Sequence, residues 1–358
     1  MTEFGAAAPG KLLLVGEYAV LEGAPALVVA VDRFVHVRVR SGGSDAGRIT
    51  CTPLGVSGEP FRLADGRLTC RESAADRLGL TARLLPRIVE ALGEPPESLA
   101  ELAIEIDSRE LFEQAGAGPE RVKLGLGSSA AVTAASITAL EGIFDRRPSE
   151  ARTPAAQWQR WLPVYRELLG GRASGADLAA SLAGGLLEFC DPGDGPPRIA
   201  SSCWPEGLCW LPVWVGKPAS TSDFVSKFDR WRASSGGPAA RLVEQLSALS
   251  TAACAALDRP LELINALRAY AEVVDAMGRE SGIEIVSEPH RALMKAGERS
   301  GVVYKSCGAG GGDIGVAFSD DPERLRAFEA ELARIGALPL HLSVARTGAE
   351  PEPIRAGP

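Results

Sequence analysis

Long apolar runs are missing from this 358-residue chain: stretches such as Ala26 to Val31 fall far short of the roughly 18 residues a membrane span requires. The segment from Met1 to Gly10 also lacks the basic start of a secretory leader. Histidine is scarce, at three residues, and the seven cysteines at 51, 70, 190, 203, 209, 254 and 307 form no Cys-x-x-Cys pair. Zinc-ligand spacing is thereby excluded. An odd, scattered set of thiols points instead to reduced cysteines in a cytoplasm, and so to a soluble intracellular protein with no membrane partner. Positive charge is in deficit, since 38 Lys+Arg face 46 Asp+Glu for a net of −8. The mean field repels a phosphate backbone, and no nucleic-acid partner is expected. An anionic ligand would need cations and backbone amides gathered in one cleft. There is no internal repeat and no Gly-x-x-x-x-Gly-Lys-Ser/Thr phosphate loop.

What is present is globular: 46% hydrophobic and 23% charged residues, over a length that allows about two domains. Apolar runs at Lys11 to Val15 and Ala26 to Val39, the second alternating through Val35, Val37 and Val39, predict antiparallel strands. Ser41 to Cys70 reads as loops and edge hairpins. Helical spacing covers Ala74 to Leu92, Ala130 to Phe144, Ala155 to Leu169, Leu178 to Leu182, Ala239 to Ala256, Pro260 to Met277, Pro289 to Ser300 and Pro322 to Ile335. Further strands fall at Leu102 to Ile106, Leu186 to Phe189, Leu208 to Val215 and Leu338 to Val344. The absence of a strand-helix-strand rhythm favours an α+β fold over a doubly wound sheet. Pro192 to Pro197 is the candidate hinge, and the proline-rich tail from Thr347 is expected to fray.

Three glycine-bearing segments carry the chemistry. The first is Lys123-Leu-Gly125-Leu126-Gly127-Ser128-Ser129-Ala130, where glycines admit a ligand to the backbone and the following helix offers free N–H groups and its positive dipole end. Ser128 and Ser129 are candidate magnesium ligands or phosphate donors. The plain alternative is that one of them merely caps the helix. Gly125-x-Gly127-x-x-Ala130 also matches the dinucleotide fingerprint in form, but Asp145, 20 residues past Gly125, is followed by Arg-Arg-Pro and does not end an apolar strand. The second segment, Gly308-Ala309-Gly310-Gly311-Gly312-Asp313, lies behind Lys305 and is too dense in glycine for an ordinary turn. The third, Pro9-Gly10-Lys11 to Gly16-Glu17-Tyr18, places a lysine at the head of an apolar strand, where it could equally be a solvated strand end. Ser174-Gly175-Ala176-Asp177 has the form of a capping box, in which the acid only stabilises a helix start.

In order and separation, the three segments resemble the motifs of the GHMP kinase superfamily, the small-molecule kinases named for galactose, homoserine, mevalonate and phosphomevalonate. The resemblance spans residues 9 to 317. Within the superfamily the motifs are most similar to those of phosphomevalonate kinases, in Tyr18 after Glu17, in Asp313 after the glycines, and in Pro218-Ala219-Ser220-Thr221-Ser222. Ile314 departs from a position where cysteine is common.

That resemblance implies an N-terminal domain of the ribosomal-protein-S5 type over residues 1–203 and a ferredoxin-like C-terminal domain over 204–346; the proline-rich residues 347–358 are left as a disordered tail. It implies ATP and Mg2+ as cofactors, a small anionic substrate as partner, and Asp177 as the catalytic acidic residue beside Lys11 and Lys123. Gly125, Leu126, Gly127, Ser128, Ser129 and Ala130 would bind the nucleotide phosphates. Lys11, Glu17, Tyr18, Ser174, Asp177, Ser220 and Gly308, Ala309, Gly310, Gly311, Gly312 and Asp313 would meet the acceptor. Ser128, Ser129 and Glu167 are the implied metal ligands, and Arg172, Lys217 and Lys305 are candidate cations for an acceptor charged at both ends.

Overall fold

The apolar run that begins at Ala26 becomes the middle of the larger of two main sheets. The computed structural model describes residues 2–41, 47–114, 121–145, 153–171, 173–193, 195–216 and 221–353. Strands β1 (Glu3–Val15) and β2 (Ala26–Ser41) pair antiparallel along most of their length, with a register shift between Pro9 and Gly10. Ala26 to Val31 are buried on both faces of the pleat, which explains their unbroken apolarity, whereas from Val35 onward only alternate residues are buried. Two short strands, β3 (Arg48–Cys51) and β4 (Val56–Pro60), extend this sheet, and β5 (Arg62–Ala64) pairs only with β6 (Arg67–Thr69). The expected helix over Ala74 to Leu92 is two helices, α1 (Glu72–Leu78) and α2 (Leu80–Ala91), broken where Gly79 takes φ +48.

Strand β7 (Leu102–Asp107) lies between β2 and β3, and the hairpin β8 (Phe112–Gln114) and β9 (Arg121–Lys123) leads to the first glycine segment. Helix α3 (Ser128–Ile143) presents Ala130, Ala131, Ala134 and Ala135 inward, and these small side chains let it lie close on β1 and β2. Helices α4 (Pro154–Leu168) and α5 (Ala176–Ala183) follow, then β10 (Leu186–Cys190) and β11 (Arg198–Ser202). The last two pair antiparallel from Leu186 with Ser202 to Cys190 with Arg198. The expected hinge at Pro192 to Pro197 is therefore a hairpin loop within one sheet: its prolines and glycines turn the chain without separating two bodies.

Beyond Ser202 the chain leaves that sheet. Strand β12 (Cys209–Trp214) opens the smaller sheet, and helices α6 (Thr221–Ser235), α7 (Gly237–Ala255), α8 (Pro260–Ser281) and α9 (Glu288–Ser300) intervene before β13 (Val303–Ser306) and β14 (Ile314–Ser319). Helix α10 (Pro322–Ile335) and β15 (Leu338–Pro339) complete a sheet of order β13-β14-β12-β15. The final expected strand is shorter than Leu338 to Val344, although Val344 makes one bridge to Val31. Leu293, Ala296, Phe328 and Leu332 pack with Val213 and Tyr304 of the small sheet, while Ile314, Val316 and Phe318 join a core continuous with β1 and β2. No described helix is long and apolar enough to cross a membrane, and all seven cysteines are free.

The expected frayed tail is a correction: β16 (Glu350–Glu352) pairs antiparallel with β1 through Gly5, Ala6 and Ala7. Its prolines are tolerated because it is an edge strand. Glu352 also meets Nδ1 of His36 at 2.9 Å. Residues 354–358 of the tail lie outside the described residues.

Candidate active site

Lys11 sits just past the register shift in β1, and its N–H donates to the carbonyl of Leu126 at 2.8 Å. That approach needs the preceding glycine, since a Cβ at Gly10 would lie 2.8 Å from the same oxygen. The Lys11 side chain runs over the first glycine segment: a Cβ at Gly127 would lie 2.6 Å from Cε of Lys11. Gly127 itself, at φ +74, occupies the position before α3, and no side chain caps that helix. Ser128 and Ser129 are therefore the first residues of the helix, half-buried, and the capping reading of these hydroxyls does not hold. The N–H groups of the first turn and the dipole of a sixteen-residue helix together favour an anion at this end.

The second glycine segment meets the first through Asp313, whose side chain occupies the space a Cβ at Gly125 would need. Lys123 lies in the same electrostatic neighbourhood. Desolvation by the cleft walls holds its ammonium below the usual lysine range, opposed by Asp313 and reinforced by Lys11, even though the side chain keeps an open surface. Two lysines, a helix N-terminus and a carboxylate thus converge from three distant parts of the chain.

Asp177 enters from α5. Its Oδ1 accepts from the N–H of Leu178 at 2.9 Å and its Oδ2 from the hydroxyl of Tyr165 at 2.7 Å. Burial, with Asp177 alongside, keeps Tyr165 a phenol well above its ordinary range, so it remains a donor to the carboxylate. The capping box read from the sequence is not formed, because Gly175 holds the cap position and Ser174 Oγ accepts from Ala176 N–H at 3.3 Å. Ser181, one turn after Asp177 on the same face, donates to the carbonyl of Pro9 at 2.9 Å. This bond holds the helix that carries Asp177 against the strand that carries Lys11.

The loop from Gly308 to Asp313 is closed by Cys307 N–H donating to Ile314 carbonyl at 2.9 Å, and side chains hold it from several directions. Tyr18, at φ +63, donates its hydroxyl to Ala309 carbonyl and packs its ring 4.7 Å from Phe228. Gly311 N–H donates to Ile285 carbonyl at 2.8 Å, and Phe224 of α6 fills the place of a Cβ on Gly311. His290, wholly buried and held at about 4 by that burial, donates from Nε2 to Gly312 carbonyl at 3.0 Å and accepts at Nδ1 from Tyr304 hydroxyl at 2.9 Å. These contacts build the loop in place.

Three expectations are altered. Glu167 pairs with Arg87 at 2.6 Å on an exposed face of α4. Residues two apart on a helix point about 200° from each other, so Tyr165 reaching Asp177 turns Glu167 away from the site. Lys305 is 1% exposed and its ammonium is bound to Glu17 at 2.6 Å, which removes it from the cations open to an acceptor and commits Glu17 to an internal partner. Arg172, Lys217 and Ser220 lie outside the described residues, as does Pro218-Ala219 of the segment that carries Ser220. Sequence reasoning missed Tyr165, His290 and Phe224. For α6 a signal existed in Phe224, Phe228 and Trp231, spaced at four and three residues.

No protein-family model matches the chain. It is 32% identical to the phosphomevalonate kinase of a Streptomyces species, over 95% of this chain and 97% of that one. Among solved structures, a Listeria innocua protein superposes with a TM-score of 0.80 at 21% identity, covering 98% of this chain and 99% of that one. The Streptococcus pneumoniae phosphomevalonate kinase in complex with phosphomevalonate and AMPPNP superposes with a TM-score of 0.72 at 20% identity, covering 95% and 99%.

Proposed function

The chain belongs to the GHMP small-molecule kinases and is a phosphotransferase of the mevalonate pathway, and from that premise we propose that it transfers the terminal phosphoryl group of ATP to (R)-5-phosphomevalonate. The observation that carries this reading is the contact of Lys11 with Gly127 and of Asp313 with Gly125, which brings all three glycine-bearing segments together. The subfamily assignment rests on the full-length relative and on Tyr18 and Asp313, the two positions at which the sequence resembles phosphomevalonate kinases more than mevalonate kinases. The reading keeps the division at residues 203 and 204, where the chain passes from the larger sheet to the smaller, and the seven free thiols fit a cytoplasmic setting.

The residues present fit a magnesium-bound nucleotide. A Cβ at Gly125 or Gly127 would displace Asp313 or Lys11, so glycine at both positions is what lets these two charged side chains close on the segment, next to the free N-terminal amides of α3 that can face a phosphate chain. When bound, the Mg2+ nucleotide supplies the phosphoryl group with part of its charge already shielded. Ser128 and Ser129, uncommitted to capping, offer hydroxyls to the metal, and Lys123 neutralises phosphate charge beside them. Lys11 offsets charge on the group in transfer.

Asp177 holds or orients the attacking oxygen through the edge of its carboxylate not taken by Leu178 and Tyr165. An acceptor that is already a phosphate monoester ionises with a second pKa near 6, so orientation outweighs deprotonation at neutral pH. The loop at Gly308 to Gly312 covers the acceptor side and excludes water.

The test is ADP release against phosphomevalonate, mevalonate, homoserine and galactose, with Asp177→Asn alongside. Turnover of phosphomevalonate, cut by roughly 100-fold or more in the variant, is expected. Turnover of mevalonate without phosphomevalonate overturns the substrate, and no turnover of any acceptor leaves a nucleotide-binding protein without this chemistry.

A further inference from the structure

One buried polar cluster is used by none of the roles above. Glu17 and Lys305 are 3% and 1% exposed, and Nζ of Lys305 lies 2.6 Å from Oε1 of Glu17 across 288 positions of sequence. The same ammonium donates to Ser306 carbonyl at 2.8 Å and stands 5.8 Å from the ring centroid of Tyr270. Tyr270 in turn donates its hydroxyl to the carbonyl of Glu17 at 2.7 Å. The cluster therefore joins the turn that follows the Lys11 strand to the residues from which the second glycine loop departs.

Stability alone is a poor account of it. Two ions taken out of water repay their desolvation only when every lone pair is satisfied, and Oε2 of Glu17 is buried with no partner among the described residues. An apolar pair of similar volume would hold the two sheets together as well. What an ion pair adds over apolar packing is a fixed register. Burial pulls the ammonium of Lys305 down, but Cys307 and Glu17 beside it outweigh that and hold it above the ordinary lysine range, so it stays charged. Only Cys307 separates Ser306 from Gly308, and Tyr18, next to Glu17, grips Ala309. Two ties from adjacent residues fix the loop's rotation as well as its height.

We propose that Glu17 and Lys305 are a positioning pair, which sets the Gly308 to Asp313 loop over Lys11 and the Gly125 to Ser129 segment so that donor and acceptor are aligned, with neither side chain touching the acceptor. This rests on the phosphotransfer reading above. It also makes the pair's contribution separable from folding, because removing both charges removes the uncompensated ion while leaving the loop without its register.

The experiment is a cycle of Glu17→Gln, Lys305→Met and the double variant, followed by thermal unfolding, steady-state kinetics and amide hydrogen exchange. The singles are expected to unfold at lower temperature, since each strands a buried charge or a buried polar group, and the double to recover most of that loss. The recovered double is expected to keep both KM values within about threefold while kcat stays at least about tenfold down. Exchange over Ser306 to Gly312 is expected to rise about tenfold in it, with the helices unchanged. A double variant with wild-type kcat, a loss confined to KM, or a slow enzyme with unaltered loop exchange each overturns the proposal. If the double does not fold, Lys305→Met, which removes the donor of the tie, carries the same kcat, KM and loop-exchange readouts at a temperature below its unfolding midpoint. If the wild type turns over no acceptor, the phosphotransfer reading fails, and loop exchange still decides whether the pair holds the loop.

Discussion

The two glycine segments of the cleft face different kinds of neighbour. Gly125 and Gly127 lie against the side chains of Asp313 and Lys11, which are flexible and part of the cleft itself. Gly310 and Gly311 lie against the backbone of Ile285 and the ring of Phe224, and Gly312 is held by His290 from the interior. The first segment is covered by charged side chains that can move. The second is a fixed wall, and its shape is imposed by packing behind it. The difference teaches that glycine density by itself does not separate a mobile flap from a built surface.

The largest expected contrast comes from alanine at one glycine of each segment. Gly310→Ala places a methyl on the Ile285 carbonyl at φ +93, where nothing can retreat, and should cost about 3 kcal/mol in urea unfolding. Gly127→Ala, also at positive φ (+74), meets the movable Lys11 stem and should cost less, about 1 kcal/mol and chiefly from backbone strain, while displacing the lysine and lowering kcat. Equal losses of stability would erase the distinction.

Next is the pH dependence of the wall. Burial holds folded His290 at about 4, whereas an unfolded histidine titrates near 6.5. Between these values the unfolded chain carries the extra proton. Stability from this group is full above about pH 6.5 and falls as pH drops toward 4, by up to about 3 kcal/mol. Urea midpoints across that window should show the slope, and His290→Gln should flatten it.

A smaller effect is expected at Asp177. Tyr165→Phe removes one hydrogen bond to the carboxylate, and kcat should fall by about tenfold or less, with the unfolding midpoint little changed. The smallest is electrostatic. Lys123 is already below the usual lysine range, so nucleotide binding should weaken on the alkaline side at a lower pH than an ordinary lysine allows. Removing the opposing charge by Asp313→Asn should move that limb lower still, measurable as nucleotide Kd against pH.

Most helices were legible because their apolar spacing is strong and their ends carry glycine or proline; Pro260 and Pro322 begin α8 and α10 as read. Helix α6 escaped because three aromatics are set in an otherwise polar segment. The loop at Pro192 to Pro197 and the part of the tail at Glu350–Glu352 were misread for one shared reason. Proline and glycine report local backbone preference, whereas hairpin pairing of β10 with β11 and edge pairing of β16 with β1 are decided by partners far away. At the site, the glycine segments, Lys11, Lys123 and Asp177 were all visible as residue types suited to phosphate chemistry. The orientation of Glu167 and Lys305 was not, because a charged residue beside a motif has the same letter whether it faces ligand, solvent or core.

Local chemistry along the chain was enough to predict a glycine turn that runs into a helix start suited to an anion, since glycine, serine and helix dipole act within a few residues of one another. The assembly of that start with Lys11, Asp177 and the second loop belonged to the tertiary structure alone. Side-chain direction and burial depend on neighbours hundreds of positions distant, as the contact of Glu17 with Lys305 shows, and no local pattern encodes them.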